Sequence, residues 1–185
     1  MARRIAYSGA AAITLAEVAL QCRAEEADLA PELALIEGVI IPGVTAQAEE
    51  RTGAAIRVAE YVEDWPAHYG SGRALDVGQA TEIVSVARLG SGGGVTTLTV
   101  ATELRQGGRE SFLYFPDGRP PGELRITYKA GVDLAAYPGV RMWLLLNAAT
   151  AYEFRERFVV GTILAELPST FTDSMLAEIT VPPRF

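Results

Sequence analysis

The sequence predicts an α+β fold: a small helical bundle of two N-terminal helices and one long C-terminal helix, with an antiparallel β-rich insertion between them. Apolar residues recur with a helical period near both ends of the chain and with a period of two in the middle. A length of 185 residues suits one well-filled domain. We therefore expect a single domain over 1–185, with N-terminal helices at 13–53, a β-rich middle at 54–131, a long core helix at 136–160 and a tail at 161–185.

The first helix is predicted to begin at Thr14, because Thr14 and Glu17 have the spacing of a capping box. Its apolar stripe follows helical spacing and consists of Leu15, Val18, Ala19 and Cys22. Cys22 is the only cysteine in the chain. Its place in the stripe favours a small buried hydrophobe over a reactive thiol.

The second helix is predicted to begin near Asp28 as its N-cap, with Pro31 tolerated in the first turn. Its expected buried stripe consists of Leu29, Leu33, Ile36, Ile40 and Val44. Pro42 lies within this pattern, so we expect either a kink or a break there. Gly53 is the expected C-terminal cap.

The middle of the chain reads as strands and tight turns. We expect strands at Ile56–Val58, 83–86, 95–102 and 112–115, with the second and third joined in a hairpin by the glycine-rich loop 90–94. Pro116-Asp117-Gly118 predicts a turn. The clearest strand follows, since Leu124, Ile126 and Tyr128 alternate with polar residues.

The long C-terminal helix is predicted to open at Pro138, which suits a first helical turn. Apolar residues cover nearly its whole circumference, so we expect it to be buried on several sides. The residues that we assign to this core helix are Trp143, Leu144, Tyr152 and Phe154.

Composition excludes some classes of function. Acids outnumber bases by 23 to 16, and a net charge of −7 argues against non-specific gripping of nucleic acid. One cysteine cannot form an internal disulfide. We expect no membrane interaction, because no apolar run approaches the ~20 residues of a spanning helix. The start of the chain resembles a signal peptide only weakly.

Catalytic and metal-binding patterns are not evident. His68 is the only histidine, so zinc and haem ligand sets cannot be assembled, and we read it as an exposed loop residue. The glycine run lacks the lysine of a phosphate-binding loop. Glu60, Glu63 and Asp64 could hold a hard cation, but a solvated run is the favoured interpretation. We expect no cofactor and no enzymatic activity, which favours a binding or structural module.

Several short motifs, in order, resemble the phage head–tail connector (adaptor) proteins, the gp6-like group and more closely the phage gp8-like group. Thr14 to Glu17 match a T-L-A-E opening, and Arg51-Thr52-Gly53 approaches a Y-T-G-R ending without its tyrosine. The segment 126–131 matches a V-x-Y-x-A-G strand ending, and 152–156 matches a Y-x-x-R-E motif. Pro42 and the longer tail depart from the pattern.

The resemblance implies a structural protein of a tailed phage or phage-like particle. Such adaptors form a cyclic homo-oligomer, a dodecamer in the particle, beneath the portal protein. The ring bridges the portal to the stopper or tail-completion protein, and genome DNA passes through its channel without specific binding. The implied location is the head–tail interface of the virion, with assembly in the host cytoplasm.

Two sets of residues are candidates for these contacts. The tail is separated from the core by Pro168 and could fold only on docking to the portal. Its candidate docking residues are Phe171, Met175, Leu176, Ile179 and Phe185. The candidate acids of a channel lining are Glu25, Glu26, Asp28, Glu49 and Glu50, although these acids could also serve only solubility.

Two alternatives stay open. The chain could be another neck component, a stopper or tail-completion protein, which would be more β-rich with fewer helices before the sheet. It could instead be a small ligand-binding or enzymatic domain with a pocket between the sheet and the long helix, lined by convergent polar groups.

Overall fold

The computed structural model describes residues 2–90, 92–154 and 169–183 and confirms the mixed α+β class. The chain forms two compact units. A β-rich unit comprises Met1–Ala10, Gly53–Val132 and Ile179–Phe185, and a helical unit comprises Ala11–Thr52 and Asp133–Glu178. The expectation of a single domain stays a prediction.

The helical unit is built from six α-helical segments, one 3₁₀ turn and one π turn among the described residues. In chain order they are α1 (Leu15–Gln21), α2 (Glu26–Leu29), the 3₁₀ turn Ala30–Glu32, α3 (Leu33–Leu35), the π turn Ile36–Ile40, α4 (Ile41–Thr52), α5 (Pro138–Glu153) and α6 (Ser169–Ser174).

Helix α1 begins as the sequence predicts. The Thr14 N–H donates to Glu17 Oε2 at 2.8 Å, and the Glu17 N–H donates to Thr14 Oγ1 at 3.3 Å, which closes a capping box. Cys22 is half-buried at the C-terminal end of α1. Burial raises the pKa of its thiol, and Glu153 raises it further, so the thiol is not activated.

The second helix differs from the prediction at its start and at Pro42. Its N-cap is Glu25, whose N–H donates to Asp28 Oδ2 at 3.3 Å, so Asp28 lies inside the first turn. Pro42 stands in the first turn of α4, directly after the π turn. We attribute its tolerance to the wider i to i+5 geometry, which leaves room for the ring where an α-helical carbonyl would clash.

The buried stripe of this helical stretch is confirmed at Leu29, Ile36, Ile40 and Val44, but Leu33 is 42% exposed. The stretch Glu26–Thr52, with a mean hydropathy of 1.5 in its most apolar window, is long and apolar enough to cross a membrane. One such helix is weak evidence, because the core helix of a soluble protein passes the same test. Gly53 follows α4 with a φ of +67°, as expected of a C-terminal cap.

Helix α5 begins at Pro138, as predicted, and packs against α1, α4 and the π turn. Trp143 and Leu144 are fully buried, but Met142 is 50% exposed and Phe154 is 42% exposed. The expectation that apolar residues around nearly the whole helix are buried therefore fails at Met142, whereas Val140, Trp143, Leu144, Ala148 and Ala149 are buried. The predicted end of the helix and its Arg155-Glu156 motif lie outside the described residues.

The β-rich unit contains a five-stranded antiparallel sheet in the order β1-β2-β8-β4-β5. Its strands are β1 (Arg3–Tyr7), β2 (Ala59–Trp65), β4 (Ala80–Leu89), β5 (Val95–Leu98) and β8 (Glu123–Ala130). The central strand β8 is confirmed, with Leu124, Ile126 and Tyr128 fully buried. The strand predicted at Ile56–Val58 is wrong, since both residues precede β2. The sequence reasoning missed β1.

A second, three-stranded sheet has the order β3-β7-β6, with β3 (Arg73–Ala74), β6 (Glu103–Gly107) and β7 (Glu110–Tyr114). The two sheets share one core, in which Trp65 of β2 lies edge-on to Phe115 with ring centroids 6.3 Å apart. Tyr128 stacks on Tyr61 at 5.9 Å. Tyr128 is thus a core residue, as the sequence suggests.

Two predicted turns are confirmed. Strands β4 and β5 form a hairpin, in which the Gly90 N–H donates to the Gly94 carbonyl at 2.8 Å. The turn at Pro116-Asp117-Gly118 closes with the Gly118 N–H donating to the Phe115 carbonyl at 3.1 Å, and Gly118 has a φ of +92°. A positive φ of this kind favours glycine.

Candidate interaction surfaces

The candidate channel acids lie at the two ends of one helical stretch. Glu25, Glu26 and Asp28 are exposed at its start, while Glu49 and Glu50 lie in its last turns, half-buried and exposed respectively. Asp28 also accepts the hydrogen bond from the Glu25 N–H that caps α2. The structure therefore does not gather these acids into one cluster.

The candidate docking residues of the tail divide by burial. Leu176 and Ile179 are buried and Met175 is half-buried, whereas Phe171 on α6 is 47% exposed. Phe185 lies outside the described residues. The described part of the tail contains α6 and the turn that follows it, and the expectation of folding only on docking stays a prediction. Among the described candidates, a docking role is thus open chiefly to Phe171.

Two contacts within the helical unit involve α6 and the residue that follows it. The Asp173 carboxylate accepts a hydrogen bond from Arg51 of α4 at 3.3 Å, and both side chains are largely exposed. Gly139 in the first turn of α5 lies against the Met175 backbone, where an added Cβ would meet the Met175 carbonyl oxygen at 3.2 Å. The absence of a side chain at Gly139 allows this close approach of the Met175 backbone.

An ion pair links α1 to α5 in the helical unit. Arg141 Nε donates to Glu17 Oε1 at 2.7 Å, beside the capping box of α1. Partial burial by itself raises the pKa of the Glu17 carboxyl, but the hydrogen bonds from Arg141 and Thr14 outweigh it, and the net pKa is lowered. Glu17 is therefore charged in the folded chain at neutral pH, and its charge is already engaged.

The acidic run of β2 is divided between the two faces of the sheet. Asp64 is exposed and pairs with Arg125, whose Nε donates to Asp64 Oδ1 at 2.7 Å. Glu63 is only 3% exposed, so the solvated interpretation is wrong for this residue. In the described residues no group of three or more His, Cys, Asp or Glu side chains is placed to hold a metal ion.

Glu63 is the centre of a buried hydrogen-bond network that the sequence did not reveal. Its carboxylate accepts hydrogen bonds from Trp65 Nε1, from the Asp76 N–H at 2.9 Å and from the Tyr128 hydroxyl at 3.0 Å. Burial raises the pKa of the Glu63 carboxyl. Burial also raises the pKa of the Tyr128 hydroxyl, and the nearby negative charge of Glu63 raises it further. The alternation of β2 was the available signal, since it places Glu63 on the face of Tyr61 and Trp65.

An open recess of about 470 Å³ is lined by the loop and strand residues 68–74. Exposed His68 lies edge-on to Tyr69, and the Arg73 guanidinium carbon lies 3.4 Å from the Tyr69 ring centroid. The exposure of His68 agrees with its interpretation as a loop residue. Because one short segment forms this recess, it brings together no acid and base from different elements.

Comparison with protein-family models finds no match. A search of curated proteins finds no match either. Among solved structures, the chain is similar to a chain in the neck of an empty gene transfer agent (GTA) particle computed with C6 symmetry, at 20% identity and a TM-score of 0.74. It is similar to a chain in the virion of a native GTA particle, at 20% identity and a TM-score of 0.70. It is also similar to a chain in the neck of a native GTA particle computed with C12 symmetry, at 18% identity and a TM-score of 0.66.

Each of these likenesses covers 100% of this chain and 97% of the other. The likeness therefore includes the helical unit, the β-rich unit and the tail. At this level of identity it establishes a shared fold over the whole chain.

Proposed function

We propose that the chain is a structural component of the neck of a phage-like particle, and specifically the adaptor that forms a ring beneath the portal. The observation that carries the proposal is the fold likeness, over the whole chain, to chains in structures described as GTA necks. The resemblance of the sequence motifs to phage adaptors supports the same role independently of the structure.

The order of the elements favours an adaptor over a stopper or tail-completion protein. Helices α1 to α4 lie between β1 and β2, so a large helical part precedes all the other strands of the five-stranded sheet. A stopper would be expected to have fewer helices there. Among the described residues, the feature in favour of an enzyme or ligand-binding domain is the open recess at 68–74.

The proposed partners follow from the role. In the particle the chain contacts copies of itself, the portal on one side, and the stopper or tail-completion protein on the other. We assign portal docking to the tail, with exposed Phe171 as its anchor. Genome DNA would pass the ring without specific binding, in keeping with a net charge of −7.

The test is to mix the purified chain with the portal protein encoded beside it and to image the product by electron microscopy. A new ring layer on the portal is the expected result. If portal and chain are both well folded and no layer forms, the adaptor role is refuted. Pairing with the tail-side neighbours would then test the stopper alternative.

The channel acids are tested in the same images. We expect a net negative or neutral lumen in which Glu25, Glu26, Asp28, Glu49 or Glu50 faces the DNA. A lumen lined mainly by arginines would contradict this assignment, and the acids would then serve only the solubility of the chain.

A further inference from the structure

Strand β5 is an outer strand of the five-stranded sheet and pairs on one side only, with β4. In the part of the chain that the structure describes, no other strand or loop is hydrogen-bonded along its outer side. Val95 is 52% exposed, and Thr96 and Thr97 are exposed as well. The outer side of β5 is thus an open sheet edge.

The hairpin register identifies which backbone groups face this open edge. The Gly90 N–H donates to the Gly94 carbonyl, so these two residues form a hydrogen-bonded pair. Bonded and non-bonded pairs alternate in an antiparallel ladder. Arg88 and Thr96 are therefore bonded, whereas Leu89 with Val95 and Ala87 with Thr97 are not. The N–H and C=O groups of Val95 and Thr97 consequently point away from β4.

The β5 edge lacks the usual protection against pairing. Exposed edge strands are commonly protected by charged side chains, proline or a bulge. From Gly90 to Thr102 the sequence contains no charged residue and no proline. The opposite edge of the same sheet is different, because β1 carries exposed Arg3 and Arg4. Protection by charge is therefore present at one edge of the sheet and missing at the other.

The uncharged β5 edge suits contact with a second copy of this chain. Two copies each carrying −7 repel one another, and the repulsion is smallest where the contact surface has no charge. A cyclic ring needs a heterologous contact, in which one surface of each copy meets a different surface of the next. Chains of similar fold occur in necks computed with C6 and C12 symmetry, where one contact recurs between copies.

We infer that the outer edge of β5 pairs with an extended segment of the neighbouring copy in the assembled ring, so that the main-chain groups of Val95 and Thr97 bond across the subunit interface. This inference rests on the proposed ring function. The pairing is β-strand addition, in which main-chain hydrogen bonds supply much of the affinity. The ring thereby covers an edge that the isolated chain leaves open.

A matched pair of variants tests the inference. Thr97→Pro removes the outward N–H and leaves the β4 ladder intact, since proline is tolerated on an edge strand when its missing N–H faces solvent. Thr97→Ala removes the same side chain but keeps the N–H. We expect Thr97→Pro to lower ring formation on the portal about tenfold or more, and Thr97→Ala to change it less than about twofold.

Amide-resolved hydrogen exchange provides a second measurement that does not depend on the proline variant folding. We expect the Val95 and Thr97 amides to exchange about tenfold or more slowly in the wild-type ring than in the isolated chain. Rings that form with both amides unprotected, or rings of Thr97→Pro that form as well as the wild type, would refute the inference and leave the proposed function standing.

Two further outcomes are also decisive. A wild-type chain that forms no ring refutes the proposed function and this inference together. Protection of both amides that comes from a stopper or tail protein, without any contact between copies at β5, refutes the choice of partner.

Discussion

Replacing Glu63 with alanine is expected to destabilise the β-rich unit more than any change to the exposed acids of the same strand. Glu63 accepts three buried hydrogen bonds, from Trp65 Nε1, the Asp76 N–H and the Tyr128 hydroxyl. Alanine accepts none of them. The Tyr128 hydroxyl still accepts from the Val77 N–H at 3.4 Å, but its own O–H loses its acceptor, so three donors are left unpaired, those of Trp65, Asp76 and Tyr128.

The magnitude follows from these three donors. Leaving a buried donor unpaired costs about 1–3 kcal/mol, so the three together cost about 3–9 kcal/mol. Removing the carboxylate also removes the unfavourable burial of its charge, which offsets part of this loss. We expect Glu63→Ala to lower the free energy of unfolding by about 2–6 kcal/mol, a large part of the 5–15 kcal/mol typical of a domain.

Urea-induced unfolding at pH 7, followed by tryptophan fluorescence, measures the effect, because Trp65 reports on the site directly. Asp64→Ala is the matched control from the same strand. Its exposed ion pair with Arg125 is worth about 0–1 kcal/mol. If Glu63→Ala costs no more than Asp64→Ala, the network does not stabilise the fold and this reasoning is wrong.

The pH dependence has a definite sign. Burial raises the pKa of Glu63 above its ordinary value of 4.5, and hydrogen bonds from Asp76 and Trp65 do not outweigh it. The folded chain therefore holds this proton more tightly than the unfolded chain. The resulting stability is fully present below pH 4.5 and is lost as pH rises through the folded pKa. The wild type should lose stability relative to Glu63→Gln as the pH rises from 4.5 to 7. A difference in unfolding free energy between the two proteins that stays the same over this range would contradict the raised pKa of Glu63.

Three further variants test single features. Thr14→Ala should lower stability by about 1 kcal/mol in thermal unfolding, because it opens the capping box of α1, and no change would refute the cap. Gly53→Ala should cost about 1–2 kcal/mol in urea, since Gly53 has a φ of +67° and an added Cβ would lie 3.3 Å from Val181 Cβ; an unaltered midpoint would contradict this. Phe171→Ala should weaken portal binding without changing the melting temperature, whereas Met142→Ala, equally exposed, should leave binding intact; equal losses would refute a specific anchor.

Sequence patterns predicted the elements whose signals are local. The capping box of Thr14, the alternation of β8 and the glycine after α4 each depend on a few adjacent residues, and each is confirmed. Strand β1 was missed because its side chains are largely exposed, so hydrophobic alternation gives no signal there. Its pairing with β2 links residues that are distant in sequence.

The candidate surfaces were harder to predict, because burial of a side chain depends on packing between distant segments. Leu176 and Met142 are both apolar residues in helical or turn segments, yet one is buried and the other is half exposed. Glu63 and Asp64 are adjacent acids with opposite environments, because successive side chains of β2 point to opposite faces of the sheet. Alternation separates the two acids, but which face is covered depends on packing between segments that are distant in sequence.

The placement of the acids limits what a negative channel could be made of. The acids at the start of the helical stretch and those in α4 lie at opposite ends of it, so one narrow level of a ring cannot be lined by both sets unless the stretch lies across the channel axis. Asp28 is already engaged with the Glu25 N–H, so neutralising it perturbs the start of α2 as well as the charge. Glu50, exposed and distant from that cap, is therefore the position where a change of charge reports on the channel separately from folding.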